Sequence, residues 1–193
     1  MFDLIAETLK NHERKEIPAA GLTLSAVLVP LYYKNEELYL LMGRRTDKVL
    51  KHKGQISFPG GASDPQDADV VATALREARE EIGLLPEDVE VLGLHDDIWT
   101  YTGFRVTPVV GQIPYPYPFK LNEDEVEELI EVPWAVFSER RGYRQERVEH
   151  DGQVQEIDFY HFEKHIIWGA TARITRRLVE LVEGAGRTKM EER

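Results

Sequence analysis

The sequence predicts a mixed β-sheet sandwiched by helices, an α/β/α or α+β fold. Three observations point there. Runs rich in β-branched and aromatic residues recur through the chain, beginning with Leu22–Tyr33. A central segment, starting near Asp67 or Asp69 and running to Ile82, carries apolar residues at helical spacing and closes on Gly83. A second amphipathic helix runs from Trp168 toward Val182. Strands mixed with one central and one terminal helix need a layered arrangement to bury both kinds of apolar face. With 193 residues and no repeat or linker, the expected organisation is one domain over 1–193. Its core lies at about 20–183, with an N-terminal helix at 2–15 and a flexible tail at 185–193.

In chain order, Phe2, Ile5 and Leu9 are spaced for a short amphipathic helix, with acids early and bases late to match its dipole; Pro18 stops it. Leu22–Tyr33 and Leu38–Gly43 read as a hairpin joined near Lys34–Glu37, and Pro30 suggests an edge or a bulge. The central helix should bury Val71, Leu75, Ala78 and Ile82, leaving Arg76, Glu77, Glu80 and Glu81 toward solvent or a cleft. Glu90–Trp99 and Arg105–Ile113 follow as strands, and Pro133–Trp134 opens a short turn or helix. Arg147–Phe162 alternates around Asp151–Gly152, a hairpin signal. Gly184 should end the last helix.

Composition narrows the function. The chain is 42% hydrophobic and 31% charged, an ordinary globular balance. With no cysteine, disulfides, thiolate metal sites and cysteine nucleophiles are excluded. No apolar run is long enough to span a bilayer, and the N-terminus lacks the pattern of a signal peptide. A cytoplasmic protein with no membrane partner is the expectation. The net charge of −11 disfavours nucleic acid. Arg44–Lys53, RRTDKVLKHK, is a basic island that would steer a phosphorylated anion.

The stretch Gly54–Leu84 carries the chemistry. Glu77, Glu80 and Glu81 stand at i, i+3 and i+4, so a helix projects their carboxylates from one face. Three like charges repel unless a cation sits among them. All-oxygen ligation suits a hard ion such as Mg²⁺ or Mn²⁺. A solvated surface with pairs such as Arg76–Glu80 is the competing reading. The Phe58-Pro59-Gly60-Gly61 turn would let backbone approach a ligand. A divalent ion neutralises phosphate oxygens and acidifies bound water, and a carboxylate can take the proton. Metal-dependent hydrolysis of a diphosphate follows from these parts.

Arg76-Glu77-Ala78-Arg79-Glu80-Glu81-Ile82-Gly83-Leu84 resembles the second half of the Nudix box, REUxEExGU with U aliphatic. The first half departs: counting back from Arg76 reaches Ala68 and Ala62, whereas Gly61 and Asp67 would serve with one residue inserted. The coenzyme A pyrophosphatase branch of the Nudix hydrolases carries such a lengthened box. It also carries an upstream motif that Leu41–Thr46 and Leu50–Gly61 resemble. Asn122–Val126 with Val132–Trp134, and Ile167–Ala172, are similar to further segments of that branch.

The resemblance implies the Nudix α/β/α sandwich, with the box as loop-helix-loop. It implies Mg²⁺ or Mn²⁺ held chiefly by Glu77 and Glu81, with Glu80 in or next to the shell. It implies hydrolysis of coenzyme A or a derivative to 3′,5′-ADP and 4′-phosphopantetheine or its acyl form. Expected catalytic residues are Arg76, Glu77, Glu80 and Glu125, the last three being alternatives for the base. Expected substrate-binding residues are Arg44, Arg45, Lys51, Lys53, Gln55, Gly60 and Gly61. His52 could touch phosphate, and Tyr101, Phe104, Phe162 and Trp168 could stack on adenine. The partner is a small molecule, and the chain is a monomer or homodimer. The alternatives are hydrolysis of another nucleoside diphosphate derivative, such as ADP-ribose or NADH, or a silent Nudix-fold binding module.

Overall fold

A tight hairpin starts the sheet on which everything else is laid. In the computed structural model, which describes residues 1–46, 54–150 and 153–191, β1 (Thr23–Lys34) turns into β2 (Glu37–Arg45) through Asn35 and Glu36 alone. Both turn residues have positive φ, 52° and 66°. That two-residue left-handed turn matches the twist of the strands it joins.

Among the described residues the large sheet has eight strands. β3 (Ile56–Ser57), β2, β1, β7 (Phe104–Gln112) and β5 (Glu90–Leu94) lie in that order. β4 (Gly60–Ala62) pairs with β1, β6 (Ile98–Trp99) with β7, and β8 (Val126–Pro133) with β2. β1 and β7 run parallel from Thr23↔Phe104 to Leu31↔Gln112, inside an otherwise antiparallel sheet. A three-stranded antiparallel sheet, β9 (Tyr143–His150), β10 (Gln153–Phe162) and β11 (His165–Trp168), stands beside it.

The two faces of β1 explain the layers. Side chains alternate across a strand. Ala26, Leu28 and Tyr32 pack with Ala74, Ala78 and Ile82 of helix α2 (Val70–Ile82). Val29 and Leu31 belong to the opposite core, with Ile5 and Leu9 of α1 (Phe2–Asn11) and Ile174 and Leu178 of α4 (Gly169–Glu191). A short helix α3 (Trp134–Ser138) follows β8 and packs against α4. The expected mixed sheet between helix layers is what the chain forms.

Four local expectations are corrected. Pro30 lies at neither an edge nor a bulge but inside a central strand, paired with Gly111. On the other side β1 pairs with β4 over Ser25–Val27 and with β2 from Leu31. Leu28 donates its N–H to Pro59 on that side, so the Pro30 nitrogen faces the point where partners change and no ladder bond is lost. The strand expected over Glu90–Trp99 is two strands, because Asp96 and Asp97 turn from the ladder to bond the N-terminal segment. Helix α4 runs through Gly184 and Gly186 to Glu191, and neither glycine has positive φ. The N-terminal helix stops at Asn11, short of the expected 15.

Candidate active site

Helix α2 starts with a firm cap. The Asp69 carboxylate accepts from the Ala72 N–H at 2.8 Å, and Gly83 ends the helix at φ 70°. Between these ends the buried side chains include Ala74, Ala78, Glu81 and Ile82. Ala78 and Ile82 are buried as expected and Val71 and Leu75 pack partly buried on the same core, but Glu81, expected toward solvent or a cleft, faces inward. Only 3% of it is exposed.

Polar partners make that burial tolerable. Glu81 Oε2 accepts from the Gly60 N–H at 3.2 Å, and Arg45 Nη1 donates to Oε1 at 3.4 Å. Burial still wins, and the Glu81 carboxyl is pushed up to about 7. Burial also raises Glu77, against the pull of Arg76. Glu125 adds its negative charge to both sites.

Arg76 is the cation among the acids. Its Nε and Nη2 donate to the two carboxylate oxygens of Asp67, each at 3.0 Å, a bidentate fork. Nη1 reaches Glu77 at 2.8 Å and Glu80 at 3.1 Å, while Nη2 also bonds the Ala62 carbonyl at 3.0 Å. The guanidinium holds the Asp67 carboxyl well below the usual carboxylate range. Asp67 is the acid that the count reaches when one residue is inserted before Arg76. Its role is to anchor Arg76. Glu80 is the outward member of the trio, more than half exposed.

The glycine turn is built against these groups. A Cβ on Gly61 would fall 2.5 Å from the Glu77 carboxylate. A Cβ on Gly60 would fall 2.4 Å from the Ala26 carbonyl. One glycine therefore admits the strand pairing and the other admits the carboxylate.

The donor set fits a hard divalent ion. Glu77 and Glu81 are oxygen donors, both raised by burial, and both lie against the same Gly60–Gly61 backbone. A cation there would relieve the like charges that Arg76 leaves uncompensated.

Past the glycine turn opens a cleft of about 760 Å³. Gly60, Gly61, Arg45 and Gln55 line it, as do Trp99, Tyr101, Phe104 and Trp168. Trp99 and Tyr101 meet edge to face at 4.5 Å. The expected site residues thus divide. Arg45, Gln55, Gly60 and Gly61 come together at the cleft, and Glu125 stands 4.0 Å from Arg45. Arg44 does not line the cleft; it pairs with Glu127 of β8 at 2.6 Å, since adjacent strand residues face opposite ways. Phe162 packs on the core instead of the cleft. Lys51, His52 and Lys53 lie outside the described residues. Trp99 and Arg173 were missed by sequence reasoning; an aromatic at a strand end beside a turn, 40% exposed in the case of Trp99, was the available signal.

A model of the Nudix domain matches residues 22–172. The chain belongs to the Nudix domain family. It is 40% identical over 154 residues to the uncharacterized Nudix hydrolase NudL of Salmonella paratyphi B and, equally, to that of Escherichia coli, covering 80% of each chain. Among solved structures it resembles a C. elegans Ap4A hydrolase binary complex, with TM-score 0.50 and 18% identity over 60% of this chain and 84% of that one. It also resembles a Nudix hydrolase from M. smegmatis, RenU, with TM-score 0.51 and 21% identity over 61% and 74%. These likenesses show the shared fold. Among the described residues no helix is long and apolar enough to cross a membrane.

Proposed function

We propose that this Nudix hydrolase cleaves the diphosphate of coenzyme A or its derivatives, giving 3′,5′-ADP and 4′-phosphopantetheine or its acyl form. The observation that carries the reading is the pairing of buried Glu81 with Glu77 at the glycine turn, at the neck of an aromatic-lined cleft. The choice of coenzyme A rests on the likeness of Leu41–Gly61 to the upstream motif of the coenzyme A pyrophosphatase branch.

Glu77 and Glu81 would hold Mg²⁺ or Mn²⁺, with Glu80 beside them. Such an ion supplies charge neutralisation on phosphate oxygens and acidifies water. Arg76 is a positioning residue, since every donor of its guanidinium is engaged by Asp67, Ala62, Glu77 and Glu80. Glu125 is the proposed base. Its carboxylate accepts from the Asn122 amide at 3.1 Å and faces Arg45 at 4.0 Å, whereas Glu80 is paired with the Arg76 guanidinium. Water attacks phosphorus, the bridging P–O bond breaks, and the water proton passes to Glu125. Arg45, Lys51 and Lys53 would meet the phosphate groups, Gln55 would offer its side-chain amide, and Gly60 and Gly61 would let the phosphates approach the backbone closely. Trp99, Tyr101 and Trp168 offer flat apolar surface to adenine or to the pantetheine arm.

The test is turnover of coenzyme A with Mg²⁺ or Mn²⁺, followed by ion-pair chromatography beside ADP-ribose and NADH. Release of 3′,5′-ADP with the highest kcat/KM for coenzyme A is expected. Preference for ADP-ribose or NADH would sink the assignment. Glu125→Gln should lower kcat by about 10²–10⁴-fold, the usual worth of a general base, and Glu80→Gln by less.

A further inference from the structure

The opposite face of the sheet carries a second group of ligand-type side chains. His12 follows the end of α1, and His95 and Asp96 lie in the connection between β5 and β6. One ligand atom from each lies within 4.8 Å of the other two. Among the described residues this is the group of three or more that meets that separation. His12 Nε2 lies 2.7 Å from Asp96 Oδ1, and the two imidazole rings are 6.0 Å apart.

The decisive feature is His95. Its residue is 2% exposed, and neither ring nitrogen has a hydrogen-bond partner. A buried imidazole with both nitrogens unmet is costly and needs an explanation. Its neighbours show the contrast. Asp97 accepts from Arg14, Ile17 and Thr107 at 2.7–3.0 Å, and Asp96 accepts from the Lys15 N–H at 2.9 Å. These two acids already fasten the N-terminal segment to the sheet. A second imidazole with bare nitrogens adds nothing to that fastening.

We propose that His12, His95 and Asp96 form a binding site for a divalent transition metal of the zinc type, separate from the carboxylate site on α2. Two imidazoles and one carboxylate suit zinc, cobalt or nickel, whereas the all-oxygen set on α2 suits Mg²⁺ or Mn²⁺. Tetrahedral bonds of about 2.0–2.1 Å would set the donors roughly 3.3 Å apart, so His12 and Asp96 would open slightly from their 2.7 Å contact as the trio settles around the ion. His12 lies in a segment that is neither helix nor strand, which permits that movement. The Lys15 N–H on Asp96 orients the carboxylate as an outer-shell partner. Arg177 of α4 is the positive charge facing His95, and Asp96 is the negative charge that opposes it. A fourth position is left for water. The metal would tie the end of α1 to the sheet.

The full chain, stripped with EDTA and held in excess Mg²⁺, is titrated with Co²⁺ alone. One Co²⁺ per chain is expected, with a visible absorption band and an X-ray absorption signature of two imidazole nitrogens. His12→Ala and Asp96→Asn, each verified as folded by circular dichroism, should weaken binding at least about tenfold. Glu81→Gln should leave it unchanged. Absence of Co²⁺ binding, purely oxygen ligation, or wild-type affinity in the His12→Ala protein would overturn the site. Loss of Co²⁺ in Glu81→Gln would do the same, by assigning the ion to α2.

Discussion

Two charged clusters are built on one sheet, and they resolve their charge differently. Around α2, the cations that Asp67, Glu77, Glu80, Glu81 and Glu125 meet among the described residues are Arg76 and Arg45. Acid is in surplus among those residues, and burial raises Glu77 and Glu81. Around Asp97, a single buried carboxylate meets Arg14, Arg105, Thr107 and the Ile17 N–H. Saturated charge holds a fold together, whereas uncompensated charge is kept for a ligand at some cost in stability. The difference teaches which cluster is machinery and which is fastening.

The largest expected effects test that division directly. Glu81→Gln should remove turnover by far more than the roughly 10–100-fold that loss of an outer-shell partner costs. It should leave the melting temperature of the metal-free protein unchanged or higher, because a costly buried charge is gone. Asp97→Asn should do the reverse. It strands Arg14 and Arg105 and is expected to cost about 3 kcal/mol, at the low end for a broken buried pair, with kcat intact. Steady-state kinetics and urea unfolding on both proteins decide the matter. Equal loss of activity in the two would erase the distinction.

The glycine turn sharpens the comparison further. Gly60→Ala drives a Cβ into the Ala26 carbonyl and the Val27 backbone, where nothing flexible can yield. A loss on the order of 1–3 kcal/mol is expected. Gly61→Ala meets only the end of the Glu77 side chain, which can move away. It should fold nearly as well and lose about 10–100-fold in kcat, as displaced ligand geometry does. Asp67→Asn comes next, with a loss of about tenfold, since Arg76 stays tied to Ala62, Glu77 and Glu80. A Mg²⁺ titration of activity would show the same shift in metal affinity if Arg76 positions Glu77.

Much of this was legible in residues 54–84. The spacing of Glu77, Glu80 and Glu81, the Gly83 cap and the sandwich of helices on a mixed sheet follow from local periodicity and turn chemistry. The inward turn of Glu81 was not legible, because it depends on the Gly60 N–H and Arg45, which reach it from other strands. Asp67 was offered by a shifted count, but its fork with Arg76 needed the loop's path. Arg44 and Arg45 look equivalent in a basic run; strand alternation sends one to Glu127 and the other to Glu81. The fastening of His12, Arg14 and Ile17 by Asp96 and Asp97 spans 80–84 residues of chain, and no local pattern announces it.

The last expected effect is a pH signature that sets the two faces against each other. In EDTA, Glu81 titrates near 7 in the folded chain against an ordinary 4.5. Between those values the folded state binds a proton that the unfolded state does not, so this group stabilises the fold as pH falls. His95 behaves oppositely. Burial lowers it to about 4 from an ordinary 6.5, so the unfolded state takes the proton first and stability drops from pH 6.5 toward 4. Wild type should therefore show a shallow profile across this range. Glu81→Gln should expose the falling His95 arm, and His95→Gln the rising Glu81 arm. Each variant should change by on the order of 2 kcal/mol across the window, in opposite directions, so that the two diverge by about 4 kcal/mol, given about 1.4 kcal/mol per pKa unit. Urea midpoints at pH 7.0 and 5.0 measure it. Parallel profiles in the two variants would mean that neither buried group carries the proton linkage, and the contrast between surplus acid on α2 and the unmet imidazole beneath α1 would fail.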